Sequence, residues 1–279
     1  ALLTFHETDQ PTESEINLVN QQDFTFFTSS WTAHNFNLFG ANNVGFVPLG
    51  ADEDFQPDPE RRISDKITHW ICVGKWEDFR KLTGTKIQAW MKKYGGNRAH
   101  QLTLCVHNPF FRRETCGFTT DDVMGKLFAD NGGRPFNVNV LKDPLKTNVE
   151  MAQLYNSADI DLSGISRSEA WNIPAFTAAS LGKWSIVTNC SAHKDWATPE
   201  NSILVEPTGI TPAVDGIFFQ KGRATNQGNM FDISVDSLVA AMERAEKLAK
   251  TPNPAGLKLR EQFTYAKTVD KILERLESL

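Results

Sequence analysis

The chain is poor in cysteine, in excess charge and in long apolar runs, and each shortage closes off a class of protein. Its cysteines number 4, at Cys72, Cys105, Cys116 and Cys190, with no C-x-x-C and no Cys/His pair at metal-ligand spacing. Cys72 and Cys105 sit inside apolar runs, where the thiol serves as a small core hydrophobe, and a reducing cytoplasm is the expected location. The 6 histidines (6, 34, 69, 100, 107, 193) are scattered, so a metal site built from histidine alone is not indicated. Apolar runs are only a handful of residues long, too short for a membrane-spanning helix. Glu7, Asp9, Glu13 and Glu15 crowd the first twenty positions and argue against a signal peptide. Lys and Arg total 29 against 34 Asp and Glu, a formal charge of −5, which disfavours broad attraction to nucleic acid or an anionic membrane. The glycines form neither G-x-G-x-x-G after a strand nor G-x-x-x-x-G-K-[ST], so dehydrogenase and P-loop readings lose their main support. A G-x-S-x-G elbow is also missing, and Ser191 and His193 lie too close along one turn to act as nucleophile and base.

What is present is an ordinary globular mix of 279 residues, 40% apolar and 23% charged. On a prior of about 150 residues per domain this is one to two domains. Short apolar, β-branched runs recur at 23–30, 43–50, 69–74, 101–107, 136–141, 158–164, 183–189 and 202–207. Helical patterns fall between many of them, at 80–93, 119–129 (opening on TTDD), 148–157 and 174–182. Strands alternating with helices predict βαβ units, and near-continuous apolar strands predict a sheet covered on both faces. Six strands between 69 and 207 suffice for one doubly wound parallel domain, whereas two before residue 51 do not. Polar, proline-bearing 52–62 reads as a linker, and a helical stripe at 235–248 is stopped by TPNPAG before a last amphipathic helix.

In an open α/β sheet, ligands bind beyond the carboxyl ends of the strands. The loop after HWICVG reads KWEDFRK and places Lys75, Arg80 and Lys81 at a strand end and helix start, a set of solvent-facing cations suited to a diphosphate or simply to a solvated helix start. The loop after ADIDLSG brings Glu169, Trp171 and Asn172 together: an acceptor, a flat apolar wall and an amide that could hold sugar hydroxyls, or a carboxylate favourably placed at a helix N-terminus.

Taken in order, GKWEDFRK, LCVHNPF, MAQLYNSADIDLSGISRSEAWN, ASLGKWSIVTNCSAHKDW and ENSILVEP resemble the retaining, nucleotide-sugar-dependent glycosyltransferases of the GT-B fold (group 1, or family 4-like), closest to a phage and marine-bacterial branch. Upstream, ETDQP, FFTSSW and FVPLGADEDFQP resemble the same branch. The resemblance implies a doubly wound donor domain over 61–250, a remnant of the N-terminal, Rossmann-like acceptor-side domain over 1–60, and a C-terminal helix at 251–279 returning to the N-terminal part. Either a missing N-terminal segment or a second copy in a homo-oligomer would complete the fold.

For activity, the resemblance implies transfer of a sugar, with retention, from a UDP- or GDP-sugar to a glycan, a lipid-linked sugar or another acceptor, without metal or cofactor. Lys75 and Lys81 would hold the diphosphate beside Arg80, and Glu169 the sugar hydroxyls. The backbone after Ala170 would approach the sugar, and Asn108, Leu141 and Lys142 would lie near the base. Trp171 and Asn172 complete the donor-side set. Thr177 stands where the family usually has a second, ribose-gripping Glu, and a hydroxyl makes the weaker contact. Two alternatives stay open: a non-catalytic sugar-nucleotide-binding module, and a GT-B sugar-nucleotide epimerase.

Overall fold

A computed structural model describes residues 1–61 and 63–279. The N-terminal part is a small parallel sheet, with β1 (Leu2–Thr4), α1 (Glu13–Asn20), β2 (Thr25–Phe27), α2 (Ser30–Leu38) and β3 (Val44–Phe46) in chain order and strand order β1-β2-β3. Three strands stand here where the sequence predicts two. β1 escapes notice because it is three residues long and its Leu2 and Leu3 are exposed, so no burial pattern marks it. Phe27, Phe36 and Ile16 bury against one another between this sheet and its two helices.

The larger part alternates strand and helix: β4 (Thr68–Lys75), α3 (Thr83–Tyr94), β5 (His100–His107), α4 (Arg113–Cys116), α5 (Thr120–Asp130), β6 (Val138–Val140), α6 (Asn148–Ser157), β7 (Ile160–Asp161), α7 (Ile173–Ser180), β8 (Trp184–Thr188), a 3₁₀ turn at Ser191–Asp195 and β9 (Ser202–Val205). The six strands form one wholly parallel sheet in the order β6-β5-β4-β7-β8-β9. Period-two alternation explains both layers. Trp70, Cys72, Leu102, Leu104, Ile160 and Ile186 point to one face, where Trp90 of α3 and Phe128 of α5 cover them. Ile71 and Val73 point to the other, onto Tyr155 of α6 and Ala178 of α7. Thr119 with Asp122, and Thr147 with Glu150, close capping boxes at the starts of α5 and α6, each worth about 1 kcal/mol.

After β9 an antiparallel hairpin, β10 (Gly209–Pro212) and β11 (Asn229–Asp232), leaves the main sheet. The chain then runs through α8 (Val235–Glu246), which packs Leu238 and Met242 into the first face, α9 (Pro254–Leu257), α10 (Leu259–Gln262) and α11 (Tyr265–Glu277). α11 lies on the N-terminal part: Ile272 packs against Phe24, Phe26 and Val47, and the Thr268 hydroxyl donates to the Pro48 carbonyl at 2.7 Å. Gly50 permits the approach, since a Cβ there would stand 2.1 Å from the Tyr265 nitrogen. Among the described residues no helix is long and apolar enough to cross a membrane, and all four cysteines are free thiols.

Candidate functional site

Strand order reverses between β4 and β7, the topological switch point where an open α/β sheet leaves a crevice at its carboxyl edge. The two loops entering that crevice are 76–82, after β4, and 162–172, after β7. They are tied together by backbone: the Arg167 N–H donates to the Arg80 carbonyl at 2.8 Å, and Arg167 Nε donates to the Phe79 carbonyl at 2.9 Å. Regular helix begins only at Thr83, so Arg80 and Lys81 precede it, and Leu82 turns the chain into α3 at φ +51°.

Lys81 Nζ donates to both oxygens of Glu169, at 2.6 and 2.8 Å, and Arg80 donates to Glu169 Oε2 at 2.9 Å. Arg80 also pairs with Glu7 from the N-terminal part at 2.8 Å and with Glu77 at 3.5 Å, while Lys75 pairs with Glu77 at 3.0 Å. Three cations thus face three carboxylates. The expectation that Lys75, Arg80 and Lys81 are solvent-facing is corrected here, because Arg80 and Lys81 are 9% and 17% exposed and only Lys75, at 27%, opens appreciably to solvent. The physical reason is Glu169, whose side chain is 4% exposed and needs charged donors to remain ionised in that place. Burial alone would raise its carboxyl, but Lys81 and then Arg80 outweigh it and hold it at about 2. Burial draws the Lys81 ammonium below its usual range against the pull of Glu169. Burial likewise raises the Glu7 carboxyl, with Arg80 opposing.

The rest of the 162–172 loop is held from beneath. Ser191 Oγ accepts from the Glu169 N–H at 3.0 Å. Asn172, at φ +65°, caps α7 by accepting from the Ala175 N–H. His193 is fully buried between the Thr188 carbonyl (2.8 Å from Nδ1) and the Asn172 amide (3.0 Å from Nε2), and burial lowers it to about 4. A neutral imidazole fits both contacts, with Nδ1–H donating and Nε2 accepting. Ser191 and His193 therefore brace this loop and do not face each other as a hydrolytic pair. Trp171 borders the hollow beside Glu169, but its indole is largely turned into the core. It is 2% exposed and packs on Phe176 and Phe263, because the apolar N-terminal turn of α7 is covered by the C-terminal helices.

Two hollows flank the ion-pair row. One, of about 190 Å³, is lined by Phe5, Glu7, Leu49, Lys81, Glu169 and residues 170–174. Here no described protein group accepts from the N–H groups of Trp171, Asn172 and Ile173, at the N-terminus of α7. Ala170 turns its carbonyl the other way, accepting from the Thr28 hydroxyl at 2.9 Å. The second, of about 380 Å³, is lined by Trp76, Glu77, Phe79, Asn108, Phe111 and Phe118 from the loops after β4 and β5, and by Ile217 and Phe218. Asn108 is buried in this wall, its amide donating to the Trp76 carbonyl. Lys142 lines a different groove between α5 and β6, and Leu141 extends the pairing of β6 with β5 through its N–H. Thr177 is half-buried on α7. Glu7 and Glu77 were visible only inside quoted motifs, and nothing local marks a pairing between residues as distant as 7 and 80. Among the described residues no set of three His, Cys, Asp or Glu side chains converges as a metal site.

No family model matches the chain, and no curated protein matches it. Solved structures do. The α/β architecture and its structural neighbours give this chain the GT-B fold. Among those neighbours are sucrose-phosphate synthase from Thermosynechococcus elongatus (TM-score 0.72, 16% identity, 95% of this chain and 61% of that one) and HepE from Anabaena in complex with UDP and glucose (0.70, 15%, 95% and 66%). A glycosyltransferase from Rickettsia africae is similar too (0.68, 12%, 99% and 70%). The chain spans less than two thirds of the length of the first two.

Proposed function

We propose that this chain binds a nucleoside diphosphate sugar at the switch point and transfers the sugar, with retention, to a glycan, lipid-linked sugar or other acceptor. The observation that carries the reading is the order of the crevice: an aromatic hollow, a row of cations, then a hollow of mixed lining that contains Glu169 and free backbone N–H groups. A nucleoside diphosphate sugar has the same order of parts: flat base, diphosphate, hydroxyl-rich ring. HepE, a structural neighbour, was solved with UDP and glucose, which favours a UDP-sugar over a GDP-sugar donor.

In this reading Lys75 and Lys81, with Arg80 beside them, stabilise charge that grows on the departing diphosphate. Glu169, ionised and fixed by two cations, accepts from sugar hydroxyls. The loop backbone at 171–173 supplies further donors at the N-terminus of α7. Asn108 serves the base side, with Leu141 and Lys142 at the neighbouring groove between α5 and β6, Ala170, Trp171 and Asn172 the sugar side, and Thr177 the ribose. Residues 1–60 act as the acceptor-side part, 61–250 as the donor part, and 251–279 as the returning helix. The four free thiols suit a cytoplasmic protein.

Two observations favour a second reading, a binding module without transfer. All three cations already hold carboxylates, and Thr177 replaces the ribose-binding carboxylate of the resembling family. A thermal-shift screen against UDP, GDP, ADP, CDP and their sugars tests the donor site, since a ligand at 100 times its Kd adds about 2.7 kcal/mol. Release of nucleoside diphosphate with and without acceptor glycans then separates transferase from module. No shift with any of the ligands would refute the donor reading.

A further inference from the structure

The β10–β11 hairpin belongs to neither layer of the main domain, yet its loop, 213–228, reaches the ligand crevice. Phe219 anchors the loop in a small core with Ala213 and Met230, 6.2 Å from the Phe79 ring of the β4 loop. Its neighbour Phe218 projects into the crevice, its ring centroid 5.7 Å from that of Phe110 and 4.4 Å from the Lys75 ammonium. With Ile217 it closes one side of the aromatic hollow. Ile217 is 56% exposed and Phe110 61%, so apolar side chains gather, largely uncovered, around the place where the cation row meets this hollow. Asp215 shapes the turn, accepting from the N–H groups of Ile217 and Phe219.

The far side of the same loop is clasped by the N-terminal part. The Thr12 hydroxyl donates to the Ala224 carbonyl, the Asn226 N–H to Glu15 at 2.9 Å, and the Asn229 N–H to Asp9 at 2.6 Å. Gly228, at φ +103°, is required there, since a Cβ would stand 2.7 Å from Asp9 Oδ1.

We propose that loop 213–228 is a lid on the nucleobase, with Phe218 and Ile217 covering the outer face of the base while Lys75 holds the adjoining phosphate. The proposal rests on the donor reading and goes beyond it by assigning base contact to a hairpin outside the parallel sheet. The geometry fits: a ligand with its phosphates at Lys75 and its sugar toward Glu169 must extend its other end toward Phe218, and every base offers a π-face to an aromatic ring.

Calorimetric titration of wild type, Phe218→Ala, Ile217→Ala and Phe218→Tyr tests it, with UDP, GDP, ADP and CDP as base-bearing probes and inorganic diphosphate as the probe without a base. Phe218→Ala should weaken the tightest-binding nucleoside diphosphate about tenfold, Ile217→Ala should weaken it less, and Phe218→Tyr should restore it, all with diphosphate affinity unchanged. Equal loss for both probes would mean that Phe218 acts through Lys75, and the lid is overturned. Unchanged nucleotide affinity in Phe218→Ala, with wild type binding both probes, overturns the lid and leaves the donor reading standing. If wild type binds no probe, both fall.

Discussion

Replacing Lys81 by Met keeps most of the apolar stem but removes an ammonium that makes two hydrogen bonds to Glu169. A solvent-facing lysine could be lost for within ±0.5 kcal/mol. Glu169, however, is 4% exposed, and removing one partner of a buried pair costs about 3–5 kcal/mol. Arg80 remains 2.9 Å from Oε2, which places the loss at the lower end, near 3 kcal/mol. The pH dependence gives a second readout. Glu169 is held at about 2 against an ordinary 4.5, by Lys81 first and Arg80 second. A carboxyl depressed in the folded state stabilises above its unfolded pKa, and that stabilisation drains away as pH falls from 4.5 toward 2. The deficit of Lys81→Met should therefore be greatest at neutral pH and close over that window. Urea unfolding of wild type, Lys81→Met, Glu169→Gln and the double variant at pH 7, 5, 4 and 3 measures both the deficit and the coupling. A Lys81→Met protein within 0.5 kcal/mol of wild type at pH 7, or a gap that widens in acid, would refute the ion-pair argument.

Glu169→Gln should lower the transfer rate more than tenfold while leaving nucleoside diphosphate affinity nearly intact, which steady-state kinetics and calorimetry separate; a parallel loss of both would move Glu169 to the diphosphate. His193, lowered to about 4, stabilises the neutral fold above pH 6.5 and loses that contribution as pH falls toward 4, so a His193→Gln variant should show a flatter stability profile between those values than wild type. Thr177→Glu should raise nucleotide affinity about tenfold with little change in melting temperature, a charged hydrogen bond being worth about 1.5–3 kcal/mol. An early-melting Thr177→Glu protein that binds no better would show that Thr177 is a packing residue.

The parallel sheet was legible because most of its strands are near-continuous apolar runs and its helices carry their own start signals: TTDD at 119–122 becomes the capped start of α5. The hairpin β10–β11 was not, since GITP and NMFD lack apolar alternation and are held by each other and by the N-terminal part. α2 was missed for a related reason: SWTAHNFNL buries Ala33 and Phe36 but also Thr32 and Asn35, so no apolar stripe shows. At the site, strand-end placement located Lys75, Arg80, Lys81 and Glu169. It could not show that they pair, because Lys81 and Glu169 are far apart in the chain and meet only across the switch point. The burial of Trp171 was not legible either, because it depends on Phe263, contributed after α10.

The central claim is that the cations at the end of β4 hold a diphosphate. Calorimetric titration of UDP and of uridine into wild type and Lys75→Met tests it most directly, since Lys75 is the most exposed of the three and its loss disturbs the buried Glu169 least. The account predicts that UDP binds wild type at least thirtyfold more tightly than uridine, and that Lys75→Met shrinks this ratio about tenfold or more, for about 1.5–3 kcal/mol of charged hydrogen bonding lost. Equal affinity for UDP and uridine in wild type, or an unchanged ratio in Lys75→Met, would contradict it.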